Sequence, residues 1–176
     1  MHRESDLPST LASRPRTSIG LPIPYVAALR PDGTADFTVI DAERALGAAR
    51  SRRCALCGAG LGYWLAFLGG PQSARTRTFV DGPAHEDCLL AAVRLCPYLA
   101  RHASRRTRRV PEGSLTPAGF DERKPTEFVV GITRSYRTFV DERGAILHKA
   151  APFVRERKFR YVDGVLVEQS AAPTDP

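Results

Sequence analysis

Cys54-Ala-Leu-Cys57-Gly58 and His85-Glu-Asp-Cys88 are the two segments whose residue types and spacing suit chemistry at a shared point. Cysteines separated by two residues can aim both thiolates at one ion across a tight turn, and Gly58 relieves the backbone where the chain leaves that turn. A spacing of three puts His85 and Cys88 on one face of a helix, within its first turn. The four side chains make a Cys₃His set. That set is expected to hold one structural Zn²⁺, with bonds of about 2.3 Å to sulfur and about 2.0 Å to nitrogen. Four protein ligands leave no open position for water or substrate, so zinc hydrolysis is not expected.

Cys96 is the rival ligand. On a continuous helix it lies eight residues beyond Cys88, about 12 Å along the axis. Two sulfurs on one zinc must sit within roughly 4 Å of each other. Cys96 is therefore read as a small buried side chain ahead of Pro97. Glu86 and Asp87, between the ligands, are read as acids favoured by the helix dipole rather than as catalytic carboxylates.

The elements that must position these ligands follow from periodicity and turn signals. Residues 25–30 and 37–40 flank Pro31-Asp32-Gly33-Thr34, a turn sequence, and predict a hairpin. Asp41 is placed to cap a helix over 42–50. Residues 63–68 and 75–80 predict a second hairpin joined through Gly69-Gly70-Pro71. A helix is expected from about Ala84 to Pro97, where proline ends or kinks it. Knuckle, hairpin and ligand-bearing helix in that order are the plan of a treble-clef zinc finger.

Beyond that module, 127–133, 136–140, 146–148, 153–162 and 165–168 are strand-like, the last two joined by Asp163-Gly164, a tight hairpin turn. The expected fold is α+β: an N-terminal hairpin and helix, a treble-clef-like zinc module, and a small C-terminal antiparallel sheet. By this reading residues 1–20 are a disordered tail, 21–110 the module, and 111–126 a linker or long loop. Residues 127–169 are then β-hairpins packed on the module, and 170–176 a tail.

The chain has 176 residues, a net charge of +7 and an isoelectric point near 9.7. Arginine carries nearly all the positive charge, with lysine only at Lys124, Lys149 and Lys158. A GC-rich genome biases almost any protein this way, so the charge is weighed by its clustering. Arg50, Arg52 and Arg53 precede the knuckle, and Arg101, Arg105, Arg106, Arg108 and Arg109 follow the helix. Both clusters are candidates for phosphate contact, against the plainer reading of solvated helix ends. Tyr63, Trp64 and Phe67 are read as core filling between hairpin and helix, with a base-stacking platform as the alternative.

The uncharged stretch 54–74 contains an apolar run of only 63–68, far short of the ~20 residues a membrane helix needs. The N-terminus has no apolar core of the kind an export signal requires, so a cytoplasmic protein with reduced thiols is expected. Nucleophile elbows, phosphate loops, metalloprotease helices and dinucleotide fingerprints are not found. Thr133, Ser135 and His148 form no catalytic pattern.

Taken together, Cys54-x-x-Cys57-Gly58, Tyr63 with Ala66-Phe67, Gly69-Gly70-Pro71, His85-x-x-Cys88, Cys96-Pro97-Tyr98-Leu99 and Thr133-Arg134-Ser135-Tyr136 resemble a family of small zinc-finger-like proteins. That family belongs to high-GC Gram-positive bacteria and their phages. The resemblance spans roughly 21–168 and implies the same metal set, with Cys96 in a separate Cys-Pro motif. It implies no activity. The expected function is a non-enzymatic, zinc-stabilised binding protein whose partner is DNA or RNA, or another protein, and not a membrane. The alternative is a treble-clef-type nuclease. Such a site needs a histidine near the end of the first hairpin strand and further His or Asn on the helix, and neither is present.

Overall fold

The computed structural model describes residues 7–102 and 124–169. In chain order the elements are α1 (Ser9–Ala12), β1 (Ala27–Leu29), β2 (Ala35–Ile40), α2 (Ala42–Arg50), β3 (Leu65–Gly69), α3 (Pro71–Thr76) and β4 (Thr78–Phe79). They continue as α4 (Glu86–Leu95), α5 (Pro97–Ala100), β5 (Glu127–Thr133), β6 (Tyr136–Val140), β7 (Ile146–Ala150), β8 (Arg155–Val162) and β9 (Val165–Glu168). The protein is thus a mixed α and β structure with small antiparallel sheets.

β1 and β2 form the first expected hairpin, and Asp41 caps α2 by accepting a hydrogen bond from the Arg44 N–H at 2.9 Å. Asp163 and Gly164 both take positive φ, 48° and 77°, the backbone that a two-residue turn between twisted strands needs. The β8–β9 hairpin closes there.

The second expected hairpin does not form. Pro71 has no N–H to give a strand ladder but suits the first position of a helix, and with Gly70 extended before it the chain turns into α3. Arg77 then takes φ 51° and ends that helix. The two segments that were to pair go to different sheets. β3 pairs with β5 in the order β3-β5-β8-β9, and β4 pairs with β7 in the order β4-β7-β6.

β3 lies at the centre of the packing. Its Ala66 faces a core with Phe128, Val130 and Ile132 of β5, Phe159, Leu166 and the buried side of α4. Leu65 and Phe67 point the other way, onto Phe79 and Ala150, and Phe67 stacks on Phe79 at 4.9 Å. Successive residues buried on opposite faces make a continuous apolar strand, which is why 65–68 shows no alternation. Leu11 is buried in the same core as α4, so the expected disordered tail is structured at least there, while 1–6 lie outside the described residues. The chain 103–123, which includes most of the expected linker, and the tail 170–176 lie outside them as well. Among the described residues no helix is long and apolar enough to cross a membrane.

Candidate metal centre

The first ligand pair is built by a short loop closed on itself. Arg53 and Gly60 bridge as antiparallel partners, the Gly58 N–H donates to the Cys54 carbonyl at 2.8 Å, and the Cys54 N–H to the Ala59 carbonyl at 2.8 Å. Gly58 has φ +79° and lies against the Tyr25 ring, where an added Cβ would come within 2.5 Å of a ring carbon. Both conditions require glycine. The Cys57 N–H points at the Cys54 sulfur at 3.5 Å.

The second pair sits at the start of α4. His85 is the N-cap in extended conformation, one position before the helix, and its side chain makes no capping bond. Its imidazole is turned towards the sulfurs. Cys88 lies in the first turn of α4. Two backbone links hold the pairs together. The Ala55 N–H donates to the Pro83 carbonyl at 2.9 Å, and Ala66 and Ala84 exchange N–H···O bonds of 2.8 and 3.0 Å. The knuckle is thereby tied to the approach to His85, and that approach to β3.

The four ligand atoms lie within 4.8 Å of one another, and the cluster can hold a metal ion. His85 Nδ1 is 3.4 Å from Cys57 Sγ and 3.8 Å from Cys88 Sγ. A tetrahedron with bonds of about 2.3 and 2.0 Å has sulfur–nitrogen edges of about 3.5 Å. The match is close. The other ring nitrogen, Nε2, is 3.0 Å from the Gly60 carbonyl. That bond places the proton on Nε2 and leaves the Nδ1 lone pair facing the sulfurs. Cys54, Cys57 and Cys88 are buried and unbridged.

The electrostatics suit a cation. The Cys54 thiol is held far below the usual thiol range, first by a hydrogen bond from Cys88 and then by backbone N–H groups of Cys57, His85 and Leu56. Cys88 is pushed up as the partner in that bond, by burial and by the neighbouring sulfurs. A positive ion held among these crowded sulfurs would offset the repulsion between their thiolates.

Cys96 stands apart, at the C-terminal end of α4, partly exposed and outside the cluster. Glu86 and Asp87 occupy the first turn of α4 as expected, and Glu86 has a further role that its sequence position did not reveal. It pairs with Arg155 at 2.5 Å and Arg157 at 3.3 Å, tying α4 to β8.

Of the expected phosphate contacts, Arg50, Arg52 and Arg53 are exposed together beside the knuckle. Arg101 is exposed too, but its backbone bridges Val165 on β9. Of the second cluster, only Arg101 falls among the described residues. Arg105, Arg106, Arg108 and Arg109 lie outside the described residues. Core filling holds for Phe67 alone, which is fully buried, whereas Tyr63 and Trp64 are 64% and 45% exposed. No family model, curated protein or solved structure matches this chain.

Proposed function

We propose that Cys54, Cys57, His85 and Cys88 hold a structural Zn²⁺ and that the domain around it is a non-enzymatic nucleic-acid-binding module. The observation that carries the metal assignment is the near-tetrahedral spacing of three buried sulfurs and one oriented imidazole nitrogen. Thiolate-rich tetrahedral sets favour zinc over oxygen-seeking ions. Four protein donors complete the coordination, which gives the ion a role in shape rather than in turnover. A reducing, cytoplasmic setting keeps such thiols available.

The binding role is supported by the net charge of +7 and by Arg50, Arg52 and Arg53, exposed on the chain that enters the knuckle. Their planar forks of donors suit phosphate. We read the knuckle, β3 and α4 as treble-clef-like, with β5 rather than β4 as the strand beside β3.

Elemental analysis and mobility shifts test both parts. Purified protein should carry one zinc per chain, and Cys54→Ser and His85→Ala should lose it. Complexes with DNA or RNA should form at low salt and weaken steeply as salt rises. Zinc-loaded protein that forms no complex at low salt would point to a protein partner instead.

A further inference from the structure

We propose that Tyr63 and Trp64, flanked by Arg134 and Arg52, form a platform that stacks the unpaired bases of single-stranded nucleic acid. The proposal rests on the nucleic-acid reading above and names the surface and the ligand form.

Tyr63 and Trp64 immediately precede β3, where an apolar chain has entered the core by Leu65. Large aromatic side chains left outside a core that takes the next three residues call for a partner. The two rings meet edge to face, with centroids 4.9 Å apart and planes at 81°. Arg134, exposed at the end of β5, places its guanidinium 4.9 Å from the Trp64 centroid and 5.3 Å from that of Tyr63. The register sets this contact, since Leu65 lies opposite Thr133 across the β3–β5 ladder. Arg52 donates to the Gly62 carbonyl at 3.2 Å, so a second guanidinium lies beside the same segment. Among the described residues neither arginine pairs with a carboxylate.

Exposed aromatic side chains beside guanidinium groups that no carboxylate neutralises match a polyanion that carries π-faces of its own. An apolar peptide would leave both guanidinium groups without countercharge. A duplex keeps its base faces stacked inside, so unpaired bases are the form that fits. Every base has a π-face, and stacking is therefore tolerant of sequence. The knuckle positions Gly62 and Tyr63 through its closing bonds, including Leu61 N–H to the Arg52 carbonyl at 2.7 Å. The metal centre thus shapes this surface without touching the ligand.

Trp64 is the chain's one tryptophan, so its emission reports on this surface alone. Zinc-loaded protein should be titrated with a short oligothymidylate, the matching oligouridylate and a duplex of equal length. Single strands should quench Trp64 and bind about tenfold or more tighter than the duplex. Anisotropy of a labelled single strand should show Trp64→Leu and Tyr63→Ala each weakening binding by about tenfold, with zinc content kept, while Trp64→Phe retains it. Arg134→Gln should weaken binding and make the salt dependence shallower. Salt-sensitive binding without quenching, untouched by Trp64→Leu, would overturn the platform and leave the broader reading standing. No binding to any of the three would overturn both. The comparison of thymidylate with uridylate assigns DNA or RNA.

Discussion

Single atoms decide the metal centre. His85 must present Nδ1 to the sulfurs, and the Gly60 carbonyl at Nε2 is what fixes that orientation. Gly58 carries the other half, because its positive φ and the Tyr25 ring exclude a side chain. Gly58→Ala should cost about 1–3 kcal/mol in chemical denaturation and weaken zinc retention against a chelator. His148 gives a separate, pH-dependent effect. It is buried against Phe67 and Tyr136, with Nδ1 3.0 Å from the Thr138 hydroxyl, and burial lowers its pKa from 6.5 to about 4. The imidazole is neutral in the fold and protonates first in the unfolded chain. Its contribution is complete above pH 6.5. It is lost as pH falls towards 4, by about 2 kcal/mol at pH 5. Comparing denaturation at pH 7.5 and about 5 for wild type and His148→Gln isolates this share from acid loss of the metal, because only the wild type should show the extra drop.

Elements show which signals a local reading can use. The Asp41 cap, the Asp163-Gly164 turn and the breaks at Pro97 and Gly33 are written in neighbouring residues, and each appears where the local chemistry puts it. A hairpin across Gly69-Gly70-Pro71 is also a local expectation, but Pro71 serves a helix start as well as a turn, and α3 is the outcome. Pairing of β3 with β5, more than fifty residues away, has no local signature. Neither has the exposure of Tyr63 and Trp64, since aromatic residues beside an apolar run look like core until the strand's limit is known. The four clustered side chains are legible because each pair is close in sequence, a CxxC and an HxxC, and short spacings bring side chains to one point. At this scale Glu86 joins α4 to β8 through Arg157, which also grips Glu168 with two bonds of 2.6 Å. All three are partly exposed, so a double-mutant cycle on Glu86 and Arg157 should give a coupling of only about 0.5–1 kcal/mol, shrinking with salt.

Across the whole molecule, the candidate metal centre is part of the main core rather than an appendage. Cys54, Cys57 and Cys88 belong to the same buried cluster as Val130, Ile132, Phe159 and Leu89. Without a bound metal ion the buried sulfurs would be left uncompensated between α4 and the four-stranded sheet. Chelation should therefore lower Tm by on the order of 10 °C or more, and cooperatively, instead of loosening the knuckle alone. The proposed binding by Arg50, Arg52, Arg53 and the Tyr63–Trp64 surface should be lost in the same transition.

X-ray absorption at the zinc edge of the purified protein tests the central assignment most directly. The spectrum should fit three sulfur neighbours at about 2.3 Å and one nitrogen at about 2.0 Å, and His85→Ala should remove the nitrogen shell or the metal. A shell dominated by oxygen, a fourth sulfur from Cys96, or a folded protein free of zinc would contradict it.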